Sequence, residues 1–185
     1  LVSSSAASDV YKRQPLNWAQ SQITDQIPEF AFKGKIYPEK ELRKHYNKYV
    51  YQDRKVLRKK FKNDKMGYKA AKNKARVDTG QKFWRNLEIA IRHKEATSGS
   101  HPVLAKLWYF WGNHFTISEK DFLAHYSTGA YQRETIRANM NQTFEKLAYE
   151  STIAWAMIHH LDNAENVGPK SCLLYTSDAA DDETS

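Results

Sequence analysis

Hydrophobic side chains recur every three or four residues along most of this chain, which is the spacing of one helical face. The first long stripe begins at Glu39 and comprises Leu42, Tyr46, Tyr49, Val50, Val56, Leu57 and Phe61. A break is predicted at Asn63–Gly67, after which a weaker helix runs to about Arg76. The opposite face of both segments is largely lysine and arginine, so the pattern predicts two basic amphipathic helices.

The most apolar segment is the stretch HPVLAKLWYFWGNHFTIS, which begins at His101. It follows a third predicted helix that carries Phe83, Trp84, Leu87, Ala90 and Ile91 on one face and ends near residues 96–100. Within the stretch, one stripe comprises Leu104, Leu107, Trp108, Trp111 and Phe115, and Tyr109 and Phe110 fill the other side. Since apolar residues occupy almost every face, we predict that this helix is central and buried.

The remaining elements are also predicted to be helical. Ser118 and Asp121 have the spacing of a capping box that would open a short helix over residues 119–126. Further helices are predicted over Ala130–Met140 and Thr143–Leu161, and a short one over residues 16–23, before a loop that packs on the body. No repeat and no alternating strand pattern occurs, so the predicted fold class is all-α, an irregular multi-helix domain fragment.

Both ends of the chain resemble translated sequencing-adapter DNA. Codons chosen for SSAASDVYKRQ, residues 4–14, give an opposite strand that encodes CLLYTSDAAD, residues 172–181, in another frame. We therefore expect residues 1–14 and 172–185 to be unstructured adapter artefacts and the natural domain to span residues 15–171. The only cysteine, Cys172, falls in the second of these segments, so no disulfide and no cysteine metal site is predicted.

The charge of the chain is concentrated in one region. The net charge is +8, and residues 39–76 hold fifteen Lys or Arg against four Asp or Glu. Such helices bind anionic partners, and nucleic acid, another polyanion or an anionic membrane surface are the candidates. The alternative is a solvated face whose long lysines cover an apolar stripe. No apolar run is long enough to span a bilayer.

A small set of polar residues could carry chemistry. Asn113 and His114 end the aromatic helix, where an unpaired amide or imidazole is unfavourable. One hypothesis places His114 in a cleft with Arg137 and Asp162 as catalytic residues, with Asn113 and Asn163 binding the ligand. The alternative is that Asn113 and His114 cap their helix and that Asp162 and Asn163 shape a turn before Gly168 and Pro169.

Metal and cofactor chemistry finds little support in the sequence. His159 and Asp162 are three residues apart and could share a helical face, but a lone pair at this spacing is weak evidence of a metal site. Phosphate-loop, nucleophile-elbow and HExxH patterns are absent. We therefore predict no metal and no cofactor.

Three ordered motifs carry a resemblance to a known family. They are LWYFWGNHFTIS at residues 107–118, GAYQRETIR at residues 129–137 and AMIHHLDNAENVGPKS at residues 156–171. Through these motifs and LNWAQSQI near the start, the chain resembles the bacterial domain-of-unknown-function family numbered 1800. It departs from the family pattern at Trp155, His159 and His160, and it stops before a later motif block that is typical of the family.

The resemblance implies the N-terminal part of a larger all-α bacterial protein that is exported and acts at the cell envelope. We expect binding or scaffolding as its role. One alternative is a hydrolase whose site near His114, Arg137 and Asp162 needs the C-terminal half. Another is polyanion or nucleic-acid binding through the basic helices at residues 39–76.

Overall fold

The computed structural model describes residues 14–23, 26–30, 32–119 and 122–165. The adapter interpretation concerns residues that lie almost entirely outside these ranges, as does Asp121 of the predicted capping box. Residues 14–21 form α1, and the other α-helices are α2 (Glu39–Asn47), α3 (Arg54–Lys60), α4 (Lys65–Asp78), α5 (Gln81–Ser98), α6 (Pro102–His114), α7 (Ala124–Ala130), α8 (Phe144–Ile153) and α9 (Trp155–His160).

Two π-helices and a 3₁₀-helix complete the secondary structure. The first π-helix, Lys48–Asp53, joins α2 to α3, and the second, Tyr131–Arg137, continues α7. The 3₁₀-helix covers Asn163–Glu165. Because the described residues contain helices and no strands, the predicted all-α class is confirmed.

The main core is built from residues of α6, the second π-helix, α8 and α9. Its fully buried members include Tyr131 and Ile136, and Trp108 of α6 is 3% exposed. Ile27 and Phe30 from the segment before α2 pack on this core, as the sequence predicted. A smaller cluster of Leu42, Tyr126 and Ala130 joins α2 to α7.

Helix α6 is buried on one side only, so the burial predicted for it is confirmed in part. Leu104, Ala105 and Trp108 are buried, but Phe110 is 58% exposed. Phe83 of α5 is likewise 63% exposed, although Ile91 on the same helix is buried. These two aromatic rings therefore lie on the surface, and the expectation that Phe110 fills the buried helix is wrong.

Three predicted boundaries differ from the structure. Ser118 does not cap a helix, because α7 begins only at Ala124 and the backbone N–H and hydroxyl of Ser118 lie 3.3 Å from Nδ1 of His160. The break expected at residues 127–129 is absent, since α7 runs directly into the second π-helix. The helix predicted over Thr143–Leu161 is divided at Ala154, whose extended backbone (ψ 140°) separates α8 from α9.

Helices α3 and α4 form a hairpin, residues 54–78, that we call the basic hairpin. The two helices pack on each other, and neither contains a buried residue. Asp64 closes the turn between them, because its Oδ1 accepts a hydrogen bond from the backbone N–H of Gly67 over 2.8 Å. The hairpin therefore adds surface to the domain and contributes little to its core.

Candidate functional site

Trp108 of α6 lies between two arginines that line separate cavities. Its Nε1–H donates a hydrogen bond to the carbonyl oxygen of Gln132 over 2.7 Å. The guanidinium carbons of Arg92 and Arg137 each lie 5.6 Å from the centroid of the indole ring. The hydrogen bond and the cation–π attraction together hold this side chain in one position.

Arg137, a predicted catalytic residue, lines the smaller cavity. Its Nη2 donates to the carbonyl oxygen of Pro28, and its guanidinium lies 4.1 Å from the ring centroid of Phe30. Burial lowers its pKa, an effect that the negative charge of Glu95 opposes. The cavity has a volume of about 20 Å³, which is room for one water molecule. Arg137 therefore ties the segment before α2 to the core.

Arg92 of α5 lines the larger cavity, which lies between α5, α6, α7 and the second π-helix. Its guanidinium lies 4.0 Å from the ring centroid of Tyr109. Its Nε and Nη2 are buried and have no hydrogen-bond partner among the described residues. The cavity has a volume of about 60 Å³ and is lined by Arg85, Glu88, Ile89, Arg92, Trp108, Glu119, Thr128, Gly129 and Gln132.

The carboxylates beside this cavity already have arginine partners. Arg133 holds Glu88 through Nη2 at 3.0 Å and Nε at 3.3 Å, and its Nη1 contacts Glu134 at 2.6 Å. Burial lowers the pKa of Arg133, but its bonds to Glu88 and the charge of both carboxylates more than offset this, so the pKa is raised. Glu119 forms an ion pair with Arg85 at 3.1 Å.

Gly129 permits the close packing of α7 against α5 that forms this wall of the cavity. A Cβ atom at position 129 would lie 2.5 Å from Cγ and 2.7 Å from Cβ of Glu88. Since Arg133 holds the Glu88 side chain, that side chain cannot move aside without loss of the ion pair. A residue larger than glycine at this position would therefore push α7 away from α5.

Arg92 and the ion pairs around it were not predicted from the sequence, although the spacing of polar residues on α5 is a usable signal. Gln81, Arg85, Glu88 and Arg92 are separated by four, three and four residues, which places them on one face of the helix. Gln81 is 1% exposed, so this polar face turns inward. Helix α5 therefore has a second inward face, on which Gln81 is buried and the other three side chains are partly buried.

Asn113 and His114 are exposed at the end of α6. The imidazole of His114 contacts the rings of Trp111 and Phe115, with centroid distances of 5.7 and 4.9 Å. His114 follows Trp108 by six residues, and the cavity that contains Arg137 does not include it. The structure thus places these two predicted catalytic residues in different surroundings.

Asp162 and Asn163 are exposed just after α9. Asp162 has a left-handed backbone (φ 58°), which aspartate tolerates better than most residues. This conformation favours the alternative that the pair shapes a turn. The cavity around Arg137 includes neither residue, and His159 lies instead along a groove with Arg43 and Trp155. Catalytic and ligand-binding roles for the five residues stay predictions.

The basic hairpin is a second candidate site, on the surface. It holds eleven Lys or Arg against two Asp, and most of the basic side chains are exposed. No helix among the described residues is long and apolar enough to cross a membrane. In that same part of the chain, no group of three or more metal-ligating side chains occurs.

A comparison with protein families finds one whose description is a protein of unknown function, DUF1800, and it matches residues 3–183. The chain belongs to the DUF1800 family. The resemblance drawn from the three motifs is thereby confirmed. No curated protein and no solved structure matches the chain.

The second DUF1800 motif, residues 129–137, forms the junction of the fold. Gly129 packs on Glu88 of α5, the Gln132 carbonyl accepts from Trp108 of α6, and Arg133 donates to the Tyr37 carbonyl before α2. Arg137 reaches the Pro28 carbonyl in the segment that precedes α2. This motif therefore holds four parts of the chain together.

Proposed function

We propose that this DUF1800 chain is a binding protein that attaches to a linear anionic polymer through the basic hairpin. The observation that supports the proposal is a surplus of nine positive charges on a helical hairpin that contains no buried residue. The lysines and arginines of the hairpin form no ion pair with a carboxylate of the described residues, and most are exposed, so they are available to contact a partner.

The dimensions of the hairpin suit a polymer with regularly spaced charges. The fourteen residues of α4 give it a length of about 21 Å at 1.5 Å per residue. Lys65, Lys69 and Lys72 follow one another at four and three residues, so they lie along one side of α4. Each phosphate or sulfate that such a row neutralises releases condensed counterions, which is the main source of affinity for polyanions.

The positive potential also acts on a phenol within the hairpin. The Tyr68 hydroxyl oxygen accepts a hydrogen bond from Nε of Arg58 over 3.4 Å. That bond, with the charges of Arg58 and Arg54, holds the pKa of Tyr68 below its usual value although burial opposes the shift. The field that favours a tyrosinate also favours a bound anion.

A linear polymer fits the hairpin better than a membrane surface does. A helix that lies in a membrane interface presents a continuous apolar face. The large apolar side chains exposed on the hairpin are Val56, Met66 and Val77, and lysines lie between them along the chain. Val56 is on α3, whereas Met66 and Val77 are three turns, about 16 Å, apart on α4 with Lys69 and Asn73 between them, so the three side chains do not form a continuous apolar face.

The test is a titration of the protein with heparin and with duplex DNA at low and moderate salt. We expect binding to at least one polymer, with an affinity that falls steeply as salt rises. The triple substitution Lys59→Gln, Lys62→Gln and Lys69→Gln should weaken binding at least tenfold and reduce the salt slope by roughly two to three. These three side chains are exposed, so the fold should be retained.

The matched control is a second triple substitution, Lys94→Gln, Lys106→Gln and Lys146→Gln, which removes three exposed lysines outside the hairpin. It should leave affinity nearly unchanged. Equal losses in both triple variants, or no binding at low salt, would contradict the proposal. Binding to anionic lipid vesicles without binding to either polymer would show that the partner is a membrane surface and not a linear polymer.

We propose further that this binding takes place at the cell envelope, as the family resemblance implies for an exported protein. The upstream coding sequence of the natural gene provides the test. A signal peptide in that sequence is expected. A complete gene that encodes no export signal would contradict the envelope role and leave polymer binding untouched.

A further inference from the structure

We propose that the cavity beside Arg92 binds a short-chain carboxylate, whose negative charge pairs with the guanidinium group of Arg92. This ligand and its site are distinct from the polymer and the basic hairpin, and the two proposals stand on different observations.

The first observation is that Arg92 has no ion-pair partner among the described residues. It makes no hydrogen bond and no ion pair with a described residue, and its Nε and Nη2 are buried. Its contacts are with the faces of the Tyr109 and Trp108 rings. A partly buried charge without an ion-pair partner is unfavourable, so an anion in the adjoining cavity would stabilise this arrangement.

The second observation is the charge of the cavity. Glu88 is held by Arg133, and Glu119 is held by Arg85. Each lining carboxylate is thereby paired with another arginine, and neither forms an ion pair with Arg92. A carboxylate ligand beside Arg92 would therefore not have to displace an existing ion pair.

The third observation concerns size and chemistry. A volume of about 60 Å³ holds roughly four water-sized groups, which matches a carboxylate of two or three carbon atoms. Planar guanidinium groups recognise planar carboxylates through paired N–H donors, as Arg133 does with Glu88 in the same wall. Ile89 and Trp108 provide apolar surface for the alkyl part of the ligand.

Gln132 gives the cavity a further polar group. Its side chain is 9% exposed, and its Nε2 donates to the carbonyl oxygen of Gly112 over 3.4 Å. Its Oε1 has no hydrogen-bond partner among the described residues. This oxygen lies against Gly112, 2.4 Å from where a Cβ atom of that residue would be. If the Gln132 side chain turns towards the cavity, a carboxylate with a hydroxyl or amino group can donate to it, so such ligands should bind more tightly than acetate.

The experiment uses sodium acetate as the probe and sodium chloride at equal ionic strength as the comparison. The readout is the Nε1–H resonance of Trp108 in a proton–nitrogen spectrum, assigned with Trp108→Phe. We expect a saturable shift with acetate and none of comparable size with chloride. Equal saturation by chloride, or no saturation by acetate, would overturn the proposal.

Variants of Arg92 separate binding from folding. Arg92→Met removes the charge and should abolish the acetate response, whereas Arg92→Lys keeps the charge and should weaken affinity roughly tenfold or more. The control Arg43→Met alters an arginine that lies over Trp155 and should keep the full response. If Arg92→Met fails to fold, Arg92→Lys decides, and an undiminished affinity in a folded Arg92 variant refutes the site.

Discussion

Individual polar side chains fix how the helices meet in this protein. Arg133 is the clearest case, because one guanidinium group contacts Glu88, Glu134 and the Tyr37 carbonyl. Its side chain is 13% exposed, and that of Glu88 is 12% exposed, so both are largely removed from water. Removal of one partner would leave the other charge buried and unpaired, which is far more destabilising than loss of a surface ion pair.

Tyr131 should make the fold less stable at alkaline pH. The side chain is fully buried, its hydroxyl donates to the Phe115 carbonyl over 2.9 Å, and burial raises its pKa to about 12. Above pH 10 the unfolded chain releases this proton while the folded chain retains it. The free energy of unfolding therefore falls as pH rises from 10 towards 12, by up to about 1.4 kcal/mol per pH unit.

The measurement is urea unfolding of the wild type and of Tyr131→Phe between pH 8 and 11. At pH 8 the variant should be less stable by about 1 kcal/mol, because the hydrogen bond is lost. That difference should shrink above pH 10, since only the wild type carries the titrating phenol. Tyr149→Phe, which alters an exposed ring, should show no such change. A difference that stays constant with pH would contradict the prediction.

The two arginines beside Trp108 show what the sequence could predict about single residues. The burial of Trp108 followed from its place in an apolar stripe, and Arg137 stood out as part of a recognised motif. Arg92 could not be identified in the same way, because its importance depends on a cavity formed by three other elements. A helical face that alternates arginine and glutamate is usually exposed to water. On α5, the burial of Gln81 is what shows that this face turns inward.

Among the elements, the π form of the second π-helix could not be predicted from α-helical spacing of hydrophobic residues. Tyr131 and Ile136 are both fully buried and are five residues apart. In an α-helix that separation places two side chains on different sides, whereas the wider turn of a π-helix brings them onto the same face. The sequence predicted a helix over residues 130–140, but the tertiary packing that selects the π form is not encoded in local periodicity.

Gly80 should be required for the junction between the basic hairpin and α5. It has a left-handed backbone (φ 70°), and among the described residues a Cβ atom there would meet only Trp84, at 3.5 Å. Gly80→Ala should therefore destabilise the fold by about 1–2 kcal/mol through backbone strain alone. Gly80→Asn should cost less, because asparagine adopts this conformation more readily. Equal losses in urea unfolding would show that strain is not the cause.

For the whole molecule, charge and hydrophobic pattern predicted the architecture better than they predicted the internal contacts. The basic surplus of residues 39–76 lies mainly in the hairpin, which adds little to the core, since lysines cannot be buried without partners. The predicted stripe on these helices is only partly buried, as Leu42 is 4% exposed but Val56 is 64% exposed. Periodicity therefore located the helices but overestimated how far the hairpin packs on the body.

Because buried side chains are concentrated outside the hairpin, the hairpin and the core should differ in local stability. Helices α3 and α4 contain no buried residue, whereas Ala130, Tyr131 and Ile136 are fully buried. Native-state hydrogen exchange should show amides of residues 54–78 opening well below the global free energy of unfolding, and those of residues 130–136 opening only near it. Heparin should raise protection in the hairpin and leave the core unchanged, because a ligand stabilises only the segment whose opening releases it. Equal protection in both regions would mean that the hairpin unfolds only with the core and is not a separate module.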